Sequence, residues 1–96
     1  MEKVQLKHPE GKKAVSMDAD KYEVLKNSFV KCLKTRGTAS FKELLDDVTA
    51  DLHRENIKVK GVIEWNLFWV TLDMEAQNEI KRDKSVSPHK YNFKVY

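Results

Sequence analysis

Residues 62–77 constrain the fold most, because their apolar side chains lie on two sides of one helix. At 100° per residue, one apolar stripe consists of Ile63, Leu67, Val70 and Met74. The other consists of Val62, Trp65, Trp69, Leu72 and Ala76, with Phe68 on its flank. A helix that is apolar on two sides packs between two partners. We therefore expect one stripe to face a helical core, and the other to face a β-hairpin or a second subunit.

Two further amphipathic helices precede this segment. Asp18 or Asp20 can cap the first helix, and Gly37 can supply the left-handed residue that ends it. Ser40 and Glu43 have the spacing of a capping box, which predicts the start of the second helix. The chain thus contains three helices, with residues 38–40 as a short extended link.

Strand patterns lie at both ends of the chain. Residues 4–8 alternate apolar and polar side chains, residues 8–12 have turn chemistry, and residues 13–17 can return as a second strand. Residues 80–82 and 91–96 read as two more strands separated by a polar loop. We expect an α+β fold: a three-helix bundle with a C-terminal β-hairpin, preceded by an N-terminal β-hairpin.

A chain of 96 residues makes one domain. Within it we assign residues 1–17 to the N-terminal hairpin, residues 18–79 to the helical core and residues 80–96 to a wing. Three helices followed by a strand, a loop and a strand is the order of a winged helix, which is a helix-turn-helix with a β-hairpin wing.

The segment Leu72-Asp73-Met74-Glu75-Ala76-Gln77-Asn78-Glu79-Ile80-Lys81-Arg82 resembles the end of the third helix in bacterial multiple-antibiotic-resistance-type winged-helix regulators. In those regulators a leucine, a glycine four residues later and an apolar-basic strand lead into the wing. Met74 stands in the leucine place and Asn78 in the glycine place. This resemblance implies a winged helix and a DNA-binding transcription regulator.

The whole chain is similar to an uncharacterised bacterial family of short winged-helix-like proteins. Its members have a small N-terminal β element, an aspartate-capped helix, a helix that begins phenylalanine-lysine-glutamate-leucine, and a third helix that bears tryptophan. Here the second helix begins with Phe41-Lys42-Glu43-Leu44, and the third carries Trp65 and Trp69. The resemblance implies the fold and carries no known activity.

Duplex DNA is the first expected partner, because basic residues cluster towards the wing. The second and third helices are acidic on their outer faces, and a carboxylate repels phosphate, so we expect the wing to dominate binding. The residues predicted to meet phosphates are Lys58, Lys60, Lys81, Arg82, Lys84 and Lys90. The alternative is a non-enzymatic protein-interaction module that forms a homodimer. Its predicted interface residues are Trp65, Phe68, Trp69 and Leu72.

Other functional classes find little support in the sequence. There is no nucleophile elbow, phosphate-binding glycine loop or Cys-x-x-Cys pair, so we expect no catalytic residue, cofactor or small-molecule substrate. His8, His53 and His89 are scattered, which argues against a metal site. Asp47 and Asp51 share one helical face that we interpret as solvated.

The single cysteine, Cys32, lies on an apolar stripe and is expected in the core. One cysteine permits no intramolecular disulfide, which fits a reducing compartment. The start of the chain lacks the apolar run of a signal peptide, and the longest apolar stretch is too short to cross a bilayer. A cytoplasmic location is therefore expected.

Overall fold

The computed structural model describes residues 2–94, and over these residues the chain is an α+β protein with three helices and two small antiparallel sheets. The helices are α1 (Ala19–Arg36), α2 (Phe41–Arg54) and α3 (Ile63–Ala76). The strands are β1 (Lys3–Gln5), β2 (Ser16–Asp18), β3 (Ala39–Ser40), β4 (Ile80–Asp83) and β5 (Lys90–Phe93).

The helix ends follow the local signals in the sequence. The Ser40 hydroxyl accepts the Glu43 N–H, and the Glu43 carboxylate accepts the Ser40 N–H, so the predicted capping box is confirmed. Gly37 ends α1 with φ of 80° and donates its N–H to a carbonyl of the last turn. Asn78 follows α3 in the left-handed region with φ of 61°. Asp18 occupies the N-cap position of α1, but its side chain makes no capping hydrogen bond.

The predicted N-terminal hairpin is confirmed, although its paired strands cover residues 3–5 and 16–18 and not the predicted residues 4–8 and 13–17. Strands β1 and β2 pair antiparallel with Val4 opposite Met17, and the Leu6 N–H donates to the Val15 carbonyl. Leu6 and Met17 are both buried, which anchors the hairpin to the rest of the protein. Burial of two large apolar side chains contributes about 3–6 kcal/mol to this attachment before its entropic cost.

The second sheet has the strand order β3-β5-β4. The predicted pairing of the two C-terminal strands is confirmed, with Ile80 opposite Phe93. The link between α1 and α2 is itself a short strand, because Ala39 pairs with Tyr91 of β5. Residues 95 and 96 of the predicted final strand lie outside the described residues.

The core lies between the three helices and one face of this sheet. Its completely buried apolar side chains are Leu25, Phe29, Leu33, Ala39, Leu44, Val48, Leu67 and Val70. The sheet joins this core through Tyr91, whose ring meets the Phe29 ring edge-on at a centroid distance of 6.3 Å. Burial raises the pKa of the Tyr91 hydroxyl above its ordinary value.

The two apolar stripes of α3 have different surroundings. On the first stripe, Leu67 and Val70 are buried against the helical core, as expected. Along the C-terminal half of the second stripe lies the N-terminal segment. The Lys7 N–H donates to Asp73, and the His8 ring meets the Trp69 ring edge-on. The N-terminal half of the second stripe stays exposed, so the hairpin covers only part of it.

Candidate functional site

Within residues 2–94, three of the five exposed large apolar side chains lie at the start of α3. Val62 is 65% exposed, Trp65 is 57% exposed and Phe68 is 38% exposed. These residues are three apart along the helix, so they form one row on its surface. The largest exposed apolar patch of a small protein is often functional, whereas single exposed apolar residues need no explanation.

The rings of this surface contact one another edge to face. The centroid of Phe68 lies 6.0 Å from that of Phe41, with an angle of 87° between the ring planes. Trp65 lies 5.8 Å from Trp69 at 78°, and Trp69 lies 6.4 Å from Phe68. Such pairs contribute about 0.5–1.5 kcal/mol each beyond the area they bury. The rings therefore form a preorganised surface and are held in place before any partner arrives.

Phe41 belongs to this surface because of the capping box. Ser40 is the N-cap, so Phe41 is the first residue of α2, and its ring reaches across to α3. A groove of about 420 Å³ is lined by Phe41, Val62, Glu64, Trp65 and Phe68. We call Phe41, Val62, Trp65 and Phe68 the aromatic patch.

The aromatic patch differs from the interface predicted from the sequence. Trp65 and Phe68 are exposed, as that prediction requires. Trp69 is half-buried, and Leu72 is buried with 4% of its surface exposed, so Leu72 is not available to a partner. The helical periodicity of α2 predicts that Phe41 is buried in the core, and it therefore does not indicate that Phe41 belongs to the aromatic patch. Its position directly after the N-cap is the signal that places it at the edge of the core.

The predicted phosphate contact Arg82 is engaged within the protein. Its guanidinium Nε lies 3.2 Å from Glu75 Oε1, and both side chains are largely buried. The register explains this: Arg82 stands opposite Tyr91, which turns it towards the inner face of the sheet. Arg82 therefore joins β4 to α3, and in this arrangement its guanidinium is not presented to a phosphate as the prediction requires.

The other predicted basic residues fall into two groups with different neighbours. Lys81, Lys84 and Lys90 are exposed on β4, on the loop after it and on β5. Lys58 and Lys60 are exposed on the segment between α2 and α3. There they line a groove of about 220 Å³ together with Asp18, Asp20 and Lys21 at the start of α1. The carboxylates beside them make this second group a poor phosphate site.

The acidic face of α2 is paired with the basic end of α1, and its interpretation as a solvated face is wrong for Asp51, which is buried. Arg36 forms ion pairs with Asp47 and Glu43, and the Lys31 ammonium lies 2.7 Å from the nearly buried Asp51 carboxylate. The Arg36 guanidinium lowers the pKa of Asp47, and the Lys31 ammonium lowers the pKa of Asp51. Opposite charges on successive helices thus help to align α1 and α2.

Asp73 is a completely buried carboxylate that joins three parts of the fold. It accepts hydrogen bonds from the Lys7 N–H of the N-terminal segment, the Tyr22 hydroxyl of α1 and the Gln77 amide at the end of α3. Burial, with the Asp73 hydrogen bond, raises the pKa of the Tyr22 hydroxyl well above its usual range. A buried polar group of this kind needs such partners, so we assign Asp73 a structural role.

The described residues supply few groups for other kinds of chemistry. Cys32 is a buried free thiol, as predicted, and burial raises its pKa, which disfavours the reactive thiolate. Within residues 2–94, no three His, Cys, Asp or Glu side chains are grouped to hold a metal ion. None of the helices in this part of the chain is long and apolar enough to span a bilayer.

The fold and this surface define a small α+β protein with a preorganised aromatic patch at the junction of two helices. The chain belongs to the family of unknown function DUF6958, whose model matches residues 3–91. This match covers the N-terminal hairpin, all three helices and the sheet as far as Tyr91. No curated protein and no solved structure matches the chain.

Proposed function

We propose that the domain is a winged-helix-like module. The order α1, β3, α2, α3, β4, β5 and the strand order β3-β5-β4 support this proposal. The hairpin of β4 and β5 takes the place of the wing, and β3 joins the start of α2 to it. Backbone NOEs between Ala39 and Tyr91 and between Ile80 and Phe93 would test this arrangement in solution. The absence of either set would contradict it.

We further propose that the module is non-catalytic and acts by binding another protein chain through the aromatic patch. The observation that supports this best is the exposure of Val62, Trp65 and Phe68 in one row. Trp and Phe are enriched at the centres of protein interfaces, where they provide much of the binding energy. Their edge-to-face contacts reduce the side-chain freedom that binding would otherwise remove.

Helix α3 is unsuited to the major groove. In winged helices that bind DNA, the third helix presents polar and basic side chains to the bases and phosphates. Here α3 contains no lysine or arginine, and its exposed N-terminal half presents Val62, Glu64, Trp65 and Phe68. Phosphate would meet a carboxylate and an apolar surface, and both are unfavourable. These features favour protein binding on this side of the molecule.

Binding of duplex DNA by the wing stays a second candidate function. It is favoured by the exposed positions of Lys81, Lys84 and Lys90 on or beside the β4–β5 hairpin. Because Arg82 is paired with Glu75, three of the predicted wing residues remain for phosphate contacts. Each phosphate contact needs about one cation, so these three lysines can neutralise few phosphates, and the affinity should fall as the salt concentration rises. We therefore expect any such binding to be weak and independent of sequence.

Photocrosslinking in the cells that produce the protein tests the proposed interaction directly. p-Benzoylphenylalanine is incorporated in place of Phe68, and in a matched control in place of Val86, which is 41% exposed on the wing loop. We expect a defined protein adduct from position 68 and none from position 86. Equal labelling from both positions, or no adduct from position 68 in a folded protein, would contradict protein binding through the aromatic patch.

A further inference from the structure

We propose that the occupant of the aromatic patch is a second copy of this chain, bound about a two-fold axis. This inference rests on the proposed function, since it names the partner of the same surface. In a two-fold contact the same surface is used by both copies: if one residue contacts a second residue of the partner, that second residue contacts the first residue of the partner. The surface must therefore complement itself in shape, area and charge.

The row on α3 has the shape that a two-fold contact requires. Trp65 is at its centre, and Val62 and Phe68 are three residues away on either side. If two copies of α3 pack antiparallel, Trp65 lies near the axis against the partner's Trp65. Val62 then lies against the partner's Phe68, so the smallest side chain of the row meets a large one on both sides of the axis.

The exposed area is suited to the centre of a dimer interface. Taking roughly 150–250 Å² for a full aromatic side chain, the three exposed fractions correspond to about 300 Å² of apolar surface. A stable interface buries about 800 Å² on each partner, of which about 500 Å² is apolar in homodimers. Val62, Trp65 and Phe68 would thus supply more than half of the apolar area that a stable dimer needs.

The charges around the patch also favour a second copy over an ionic partner of one sign. Glu64 lines the groove with the rings, while exposed Lys42 follows Phe41 on α2 and exposed Lys60 precedes Val62. Because this rim carries both positive and negative side chains, the contact between two copies does not consist only of like charges. The net charge of +3 adds little repulsion between two copies.

Sedimentation equilibrium of the purified full chain, from about 5 to 500 µM, tests this inference. We expect wild-type protein to reach twice the chain mass within this range. Trp65→Glu should raise the dissociation constant by at least about 30-fold, which is the loss expected when a hot-spot residue is removed, because both copies carry the change at the axis. Val86→Glu places the same charge at an exposed apolar position elsewhere and should leave the dimer intact.

Circular dichroism melts establish that each variant is folded. If Trp65→Glu does not fold, Val62→Glu serves the same purpose, because Val62 is the most exposed of the three residues and lies at the N-cap of α3. Wild-type protein that stays a monomer at 500 µM would overturn self-association. So would a dimer that survives Trp65→Glu or Val62→Glu in folded protein.

The two proposals fail in different ways. A monomer in solution, combined with an adduct of another protein at position 68 in cells, would overturn self-association and leave protein binding through the patch standing. An adduct of twice the chain mass supports both proposals. A monomer in solution with no adduct in cells would overturn both.

Discussion

Replacing Asp73 with alanine tests how the N-terminal hairpin is attached to the helices. The Asp73 carboxylate is completely buried and accepts hydrogen bonds from Lys7, Tyr22 and Gln77. Its donors come from three places in the chain, so the side chain joins the hairpin segment to α1 and α3. In Asp73→Ala all three donors lose their acceptor at once.

The expected cost follows from what happens to each donor. The Lys7 N–H becomes an unpaired and partly buried donor, which costs about 1–3 kcal/mol. The Tyr22 hydroxyl is half-buried and the Gln77 amide is exposed, so water can replace part of their bonds, and each loss costs about 1 kcal/mol. Alanine is the better helix former and returns about 0.5 kcal/mol. We expect a net loss of about 3 kcal/mol from the free energy of unfolding.

Urea denaturation followed by circular dichroism measures this loss, and the melting temperature should fall by at least about 12 °C. Asp73→Asn keeps the volume but has one acceptor oxygen, so it should lose an intermediate amount. Asp46→Ala is the matched control, since Asp46 is exposed on α2 in a weak pair with Lys42, and its change should stay within about 0.5 kcal/mol. An Asp73→Ala protein as stable as this control, with unchanged hydrogen exchange at the Lys7 amide, would refute the reasoning.

Three further predictions follow from other contacts. The Lys31 ammonium lowers the pKa of Asp51, so this group adds stability above the ordinary aspartate pKa of about 4 and loses it as the pH falls through the lower folded pKa. The difference in unfolding free energy between wild type and Asp51→Asn should therefore shrink between about pH 5 and 2 in urea titrations, and a constant difference would contradict this pairing. Gly37→Ala should cost at least about 1–2 kcal/mol in the same assay, because φ is 80° and ψ is -53° at this position, a backbone conformation that alanine rarely adopts. An added Cβ would meet no atom within 4 Å, so the expected cost comes from the backbone conformation alone. Unchanged stability would therefore contradict the claim that this conformation is strained for alanine. If the wing binds DNA, Lys81→Glu with Lys84→Glu should abolish the fluorescence anisotropy change of a random duplex at low salt, whereas no binding by wild-type protein would exclude that function.

Local interactions explain why much of the fold could be predicted. The Ser40–Glu43 capping box joins groups three residues apart, and the left-handed residues Gly37 and Asn78 depend on the backbone at one position each. The alternation of apolar and polar residues along the strands of the two hairpins likewise indicates which face of each strand is buried. Such signals operate over a few residues, so the order of residues alone was enough to place three helices and both hairpins.

The surface was predicted only in part, because exposure depends on which distant segments pack together. The periodicity of α3 identified two apolar stripes, but the N-terminal segment lies along only the C-terminal half of the second stripe. Trp65 lies beyond these contacts and is exposed, whereas Leu72, further along the same stripe, is buried. The same segment makes Asp73 a buried acceptor, although the helical pattern places it on a polar side.

Ion pairing and strand pairing were settled in the same way by contacts between distant parts of the chain. The basic end of α1 and the acidic face of α2 could be seen in the sequence, but their pairing requires the two helices to lie side by side. The link at Ala39 becomes a strand because β5 lies beside it. Side-chain pattern and backbone preference are local properties and can be read along the chain. Burial, ion pairing and strand order depend on packing between segments far apart in sequence, and therefore emerge only when the chain is folded.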